Sequence, residues 1–170
     1  LTMRLFSEES KSGSMETLMT LPVNEVHVVT GKYLASFLST LIMISPSIFY
    51  VITTAIFGDP DVGPIIGGYI GTIFLCAGFT AVGVFASSVT KNQIIAFFTG
   101  FIICIALTMI DTFLVFLPSN IVEFVSYISA DMHFRSITQG IIDSRDLVYF
   151  ITVFALFFTA TIKVQQNAKK

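Results

Sequence analysis

The feature that most constrains this chain is a succession of long apolar stretches. Tyr33–Phe57 and Ile65–Val89 contain no charged residue, and Ile94–Leu117 contains a single acidic one. A helix that crosses a bilayer needs about 20 predominantly apolar residues. A fourth stretch, Leu147–Ile162, is shorter, but Lys163 directly after it can extend its side chain to the interface. We therefore predict four membrane spans over residues 33–57, 65–89, 94–117 and 147–162.

The composition agrees with an integral membrane protein. Hydrophobic residues make up 54% of the chain and charged residues 12%, where soluble domains carry roughly a quarter charged residues. The net charge of −2 lacks the basic excess that nucleic-acid binding requires. These values exclude a disordered chain, a nucleic-acid binder and an ordinary soluble enzyme. Cys76 and Cys104 lie within apolar stretches and are expected to act as small hydrophobic residues. The predicted fold class is an all-α, polytopic membrane helical bundle.

The distribution of basic residues predicts the orientation. With four spans both ends lie on one side, and all but two of the 9 Lys and Arg residues fall on that side. The two exceptions are Arg135 and Arg145, which belong to the connection at residues 118–146. By the positive-inside rule, we expect both termini in the cytoplasm and residues 118–146 outside. The chain begins with Leu1, and we expect it to be a fragment.

Residues 1–32 form a polar segment before the first span. Glu8 and Glu9 are expected to be exposed, and a short amphipathic helix is expected to begin near Gly13 and to end at Pro22. Glu16 falls in the first turn of that helix, where it suits the helix dipole. Met15, Leu18 and Met19 share one face. The residues alone leave two interpretations open, a helix on the lipid surface and a docking helix for a soluble partner.

Three further features have a structural interpretation. Pro46, between two serines, predicts a kink in the first span that hydroxyl groups can accommodate. Gly67 and Gly71 form a G-x-x-x-G pattern, a weak signal of close helix packing. The connection at residues 118–146 is apolar at helical spacing, and a short helix is expected over residues 134–142. Two structures would explain why this connection is so apolar: two amphipathic helices that dip back towards the membrane, or a simple interfacial cap over the bundle.

The sequence contains few candidates for chemistry. It has no P-loop motif, so ATP is not expected to bind this chain. His27 and His133 fall on opposite membrane faces and cannot share a metal; both are expected at a surface or an interface. Asp111 is an acidic residue within a predicted span, which makes it a functional candidate. Its depth, about 27 Å along the helix, favours a position near the outer interface, where it would meet water or Arg135.

The order and spacing of several motifs resemble the permeases of ABC-2 type transporters. The closest branch is the gliding-motility-associated permease, and the permease for nitrous-oxide reductase maturation is a relative. The resemblance covers residues 1–170, the whole of which we interpret as one transmembrane domain. The motifs that carry it are Leu1–Glu9, Lys11–Gly13, Glu16, Leu18, Leu21–Val23, Gly31–Lys32, Gly58–Pro60, Ser87–Gln93 and Gly140–Phe150.

The resemblance implies a fold and a set of partners. It implies six spans, of which four are visible, and short re-entrant helices before the last one. It also implies that residues 13–21 are a coupling helix that docks on a separate cytoplasmic P-loop ATPase subunit. A second permease chain, identical or different, and membrane lipid are the other implied partners, and no cofactor or metal is implied. The expected location is the bacterial inner membrane. The ATPase-coupling residues are Glu8, Glu9, Gly13, Met15, Glu16, Leu18 and Met19.

Two other functions remain as alternatives. A stand-alone channel or an ion-coupled carrier would use Asp111 and would work without ATP. An intramembrane enzyme is less favoured, because no paired catalytic groups share one depth in the membrane. The function predicted here is that of a transport subunit, with ATP hydrolysis on another chain and no enzymatic activity of its own.

Overall fold

The computed structural model describes residues 2–12, 24–112, 127–140 and 143–168, and these residues are helical with short connections. Within these residues, a 3-10 turn at Thr2–Arg4 precedes seven α-helices. We number them in chain order: α1 is Ser7–Ser12, α2 Glu25–Ile44, α3 Ser47–Phe57, α4 Val62–Val89, α5 Gln93–Met109, α6 Ala130–Thr138 and α7 Ser144–Ala168. The all-α bundle predicted from the sequence is confirmed.

Polar residues outside the apolar stretches begin α2, α4, α5 and α6. The side chains of Asn24, Asp61 and Asn92 accept hydrogen bonds from the first-turn amides of α2, α4 and α5. Ser129 does the same for α6. Each cap satisfies an amide that has no partner within its helix. At each of these points the chain therefore starts a helix with one of its first-turn amides already paired.

Within the described part of the chain, three helical segments are long and apolar enough to cross a membrane: Glu25–Phe57, Val62–Val89 and Ser144–Asn167. The first combines α2 and α3, which are separated only at Ser45 and Pro46. Helix α5 is apolar but shorter, and the predicted third span continues to residue 117, beyond the described residues. Helix α7 extends beyond the predicted span 147–162 at both ends. Hydropathy marks the part of a helix that lies in lipid, whereas polar residues can continue the helix on either side.

Helix α4 lies at the centre of the described bundle and contacts α2, α5, α6 and α7. Of its most apolar window, 44% is buried, against 11% for α7 and none for α2–α3. Tyr33 of α2 packs against Phe154 of α7 with ring centroids 5.0 Å apart. The hydroxyl of Tyr33 donates a hydrogen bond of 3.1 Å to the carbonyl of Ala77 in α4. These contacts join α2, α4 and α7 in one core.

The short helix α6 packs against the beginning of α4. It differs from the expected helix at residues 134–142 because Ser129 caps it earlier and because it ends at Thr138. Gly140 follows with a φ of +83°, a conformation that glycine adopts without strain. The G-x-x-x-G of α4 accommodates α6: the side chains of Phe134 and Ile137 would lie 3.3 Å from a Cβ at Gly71. The close packing of these glycines is therefore with a short connecting helix.

Gly67→Ala is expected to destabilise the fold. A Cβ at Gly67 would overlap the backbone oxygen of Ile137, so α6 would have to move. Overpacking of this kind costs about 1–3 kcal/mol. The matched control is Gly68→Ala, because a Cβ at Gly68 meets no atom within 4 Å. Thermal unfolding in detergent should show a lower midpoint for Gly67→Ala only; equal midpoints for the two variants would contradict the close approach.

Candidate functional site

The segment Thr2–Ser12 is bonded to the end of α4 through one buried hydroxyl. Ser87 Oγ accepts hydrogen bonds from the amides of Phe6, at 3.0 Å, and Ser7, at 3.1 Å. It also donates a hydrogen bond of 3.1 Å to the carbonyl of Met3. Ser87 is 1% exposed and Ser7 is fully buried. A single side chain thus satisfies three backbone groups of the segment.

The same segment is bonded to α2 through Lys32. The Lys32 ammonium donates hydrogen bonds to the carbonyl of Leu5 and to the carboxylate of Glu9. It lies 4.1 Å from the centre of the Phe6 ring, within the range of a cation–π contact. Lys32 is 14% exposed at its side chain, so these interactions are only partly screened by water.

Close packing completes this attachment. Phe6 is buried in a core cluster with Val29 and Tyr33 of α2 and Ala81 and Val84 of α4. At Gly83 a Cβ would overlap Thr2, so the segment approaches the backbone of α4 directly. We call the segment Thr2–Ser12, together with Lys32 and Ser87, the N-terminal junction. It joins the residues before α2 to two of the long helices.

Two of the predicted ATPase-coupling residues, Glu8 and Glu9, lie in the N-terminal junction. Glu9 is held by Lys32, and Glu8 is exposed on α1. The remaining predicted coupling residues lie outside the described residues: Gly13, Met15, Glu16, Leu18 and Met19. The described chain resumes at Asn24, whose side chain accepts a hydrogen bond of 3.1 Å from the amide of Val26. The segment at 13–23 is therefore bounded by the N-terminal junction on one side and by capped α2 on the other.

The chain changes from α2 to α3 at Ser45 and Pro46. Proline has no amide hydrogen, which removes one backbone hydrogen bond at this point. The hydroxyl of Ser45 donates to the carbonyl of Ile42 at 2.8 Å. On the other side of the break, the hydroxyls of Ser47 and Tyr69 lie 2.8 Å apart and connect α3 to α4. Hydroxyl groups thus replace part of the missing backbone bonding.

Asp111 lies in the turn that follows α5 rather than within the helix. Its side chain is half-buried. The arginine considered as its partner is engaged elsewhere, because Arg135 Nε lies 2.7 Å from Asp131 Oδ2 within α6. Among the described residues no group of three or more potential metal ligands occurs.

A second polar cluster lies at the opposite end of α4. His133 Nδ1 of α6 lies 2.6 Å from Asp146 Oδ1 of α7, and both side chains are nearly buried. The imidazole stacks on Tyr149, with ring centroids 4.4 Å apart. Its Nε2 lies 3.1 Å from the carbonyl oxygen of Tyr127. We call these four residues the His133 cluster; it fastens α6 to the beginning of α7.

Sequence reasoning missed the His133 cluster and treated His133 as a lone histidine at a surface or an interface. Its members come from a turn, a short helix and a long helix, so no spacing connects them. The one available signal is that Asp146 directly precedes the apolar stretch of α7. Asp146 Oδ2 is buried and has no hydrogen-bond partner among the described residues.

Together, these helices and polar clusters define a class of protein. Three spanning helical segments, a shorter apolar helix and polar clusters at the two ends of α4 describe a multi-pass membrane protein. The model of a family described as ABC-2 family transporter protein matches residues 1–164. The chain therefore belongs to the ABC-2 transporter family and is a membrane component of an ABC transporter. Neither the curated proteins nor the solved structures with which it was compared give a match.

Ser87→Ala is expected to release the N-terminal junction. The substitution leaves the buried amides of Phe6 and Ser7 without an acceptor, at about 1–3 kcal/mol for each unsatisfied group. Hydrogen exchange of residues 2–12 should become faster. Ser88→Ala is the control, because among the described residues the Ser88 hydroxyl donates to the carbonyl of Phe85 in its own helix. Unchanged exchange in Ser87→Ala would show that Ser87 does not hold the segment.

His133→Phe is expected to destabilise the end of the bundle that carries α6. Phenylalanine keeps a ring against Tyr149 but leaves the Asp146 carboxyl buried without its partner. Breaking a buried pair in this way costs about 3 kcal/mol or more. Adding Asp146→Leu should restore much of the lost stability, since an apolar pair leaves no unpaired group. A double variant as unstable as His133→Phe in thermal unfolding would argue against this explanation.

Proposed function

We propose that this chain is the permease subunit of an ATP-driven exporter in the bacterial cytoplasmic membrane. In this proposal residues 13–21 dock on a separate P-loop ATPase subunit, and both ends of the chain face the cytoplasm. Membership of the ABC-2 family supports an ATPase partner. The excess of basic residues on the side of the termini supports the orientation.

The observation that carries the proposal is the N-terminal junction. The segment Thr2–Ser12 is fixed to α4 through Ser87 and to α2 through Lys32, and the described chain resumes at Asn24, which caps α2. A displacement of residues 13–23 by the ATPase would therefore act on two long helices at once. A helix lying free on the lipid surface would need no such attachment, which favours the docking interpretation.

The route of the motion follows from the same contacts. A shift of α2 reaches the break at Ser45 and Pro46, where backbone hydrogen bonding is already interrupted. The hydroxyl pair of Ser47 and Tyr69 connects the far side of the break to α4. For ATP to drive such a change, the ATPase must bind the two conformations with different affinities.

A second permease chain completes the proposed assembly. The apolar residues of α2 and α3 are largely exposed in the single chain, including Ile42, Phe49 and Phe57. In a membrane such a surface contacts lipid or another helical chain, since lipid exposure alone carries no penalty for apolar groups. We propose that the second chain is either a copy of this one or a related permease, and that together they enclose the pathway.

The resemblance to gliding-motility-associated permeases suggests the cellular role. We propose that the exporter serves the machinery of surface movement. Deletion of the gene should then abolish spreading on a surface while growth in liquid continues. Normal spreading of the deletion strain would reject this role and leave the transport function in place.

Glu16→Lys is expected to weaken ATPase docking without impairing membrane insertion. The change reverses a charge in the first turn of the proposed coupling helix. After affinity purification of the full-length permease in mild detergent, the amount of co-purifying ATPase should fall about tenfold or more, which corresponds to about 1.4 kcal/mol. The control is Asp59→Lys, the same charge reversal in the exposed connection between α3 and α4.

The same purification separates the proposal from the carrier alternative. Full recovery of the ATPase with Glu16→Lys would contradict docking through residues 13–21. Ion flux in liposomes without ATP, abolished by Asp111→Asn, would instead establish a carrier. No contact of Asp111 in the described residues favours that second function over the first.

A further inference from the structure

We propose that a cleft between the N-terminal junction and α2 binds the headgroup of a phospholipid that carries both a phosphate and a primary ammonium. Phosphatidylethanolamine has this chemistry. The proposal goes beyond the transport function and does not depend on the ATPase partner. It rests on the position of the cleft, on its charges and on the empty space at its centre.

The cleft has a volume of about 390 Å³, in the range of sites that hold small ligands. Residues of both charges line it, together with Leu5, Gly31 and Ala35. Gly31 leaves room within it, because a Cβ at this position meets no atom within 4 Å. The lining of the cleft therefore combines small apolar residues with charged ones.

The contacts among the described residues do not engage all the charges of the cleft. Lys32 is engaged by Glu9, as described above. Arg4 and Glu8 also line the cleft, and both are exposed. Within the described residues neither of them has an ion-pair partner within 4.0 Å. In the described part of the chain, the guanidinium of Arg4 and the carboxylate of Glu8 are therefore the charges of the cleft that no ion pair engages.

These two groups match the two charges of an ethanolamine headgroup. A guanidinium pairs well with phosphate oxygens, because its N–H groups form parallel hydrogen bonds. A carboxylate accepts hydrogen bonds from a primary ammonium, whereas the trimethylammonium of choline has no N–H to donate. An anionic headgroup without an ammonium would bring negative charge against Glu8. The cleft therefore favours ethanolamine over choline and over glycerol headgroups.

The position of the cleft is that of lipid headgroups. Lys32 is the last charged residue before the uncharged stretch Tyr33–Phe57, so the cleft lies where the first span enters the membrane. A lipid held there could place its acyl chains along the exposed apolar side chains of α2, such as Leu34 and Leu38. With the proposed orientation, this is the inner leaflet.

The test is native mass spectrometry of the full-length permease, purified with its partner chains and exchanged into equal mixtures of phosphatidylethanolamine, phosphatidylcholine and phosphatidylglycerol. We expect the ethanolamine lipid to be retained in preference to the other two. Glu8→Gln should reduce its preference over choline about tenfold, since a charged hydrogen bond is lost. Arg4→Gln should weaken retention of all three lipids, because each carries a phosphate.

A steric variant makes the test independent of charge. Gly31→Leu fills the cleft without meeting described atoms near its Cβ, and it favours the helical state of α2. It should abolish retention while the thermal unfolding midpoint is maintained. Lys91→Gln, an exposed charge change in the connection between α4 and α5, is the control and should leave the lipid preference unchanged.

Three outcomes would overturn the proposal. The first is an ethanolamine preference that persists in both Glu8→Gln and Gly31→Leu. The second is stronger retention of phosphatidylglycerol than of phosphatidylethanolamine, which would indicate a site for phosphate alone. The third is displacement of the lipid by soluble phosphoethanolamine at equal concentration, which would assign the cleft to a free metabolite.

Discussion

The small residues along α4 are the constraint on which the rest of the structure depends. Gly67 and Gly71 admit α6, Gly78 faces Val153 of α7, and Gly83 admits the segment at Thr2. In a membrane the hydrophobic effect does not drive helices together, so close approach of backbones and van der Waals packing must supply the association. Helix α4 offers such an approach along most of its length. A larger residue at these positions would separate elements that otherwise share one core.

Different sets of polar contacts lie at the two ends of α4; we refer to them as two polar devices. At one end Ser87 and Lys32 attach the N-terminal junction to the bundle, and at the other end the pair of His133 and Asp146 attaches α6 to α7. Both devices hold a short element to long helices through buried or nearly buried hydrogen bonds, which keep a defined geometry better than exposed ion pairs do. In the proposed exporter the first device transmits the motion of the ATPase. The second holds α6 against α7 at the opposite end of α4.

Sequence reasoning succeeded where a feature depends on local chemistry. Hydropathy identified the apolar helices. It placed the ends of other helices less well. Helix α7 continues beyond its apolar stretch, and α6 begins at Ala130 because Ser129 acts as a cap. Apolar content and helix extent are separate properties, and a cap among several serines cannot be recognised without the backbone conformation. The coupling residues at positions 13–19 lie outside the described residues and stay a prediction.

The sequence by itself determined that this chain is an all-α membrane protein, because uncharged stretches of this length can satisfy their backbone in lipid only as helices. Motif order and spacing also indicated the transporter family that the comparison then showed. Only the tertiary structure decided which groups meet. Ser87 bonds Phe6 across 81 residues of the chain, and His133 meets Asp146 from another helix. Such pairs depend on the angles at which the helices cross and on how closely the small residues of α4 let them approach. Neither the crossing angles nor the interhelical distances can be derived from hydropathy or local spacing.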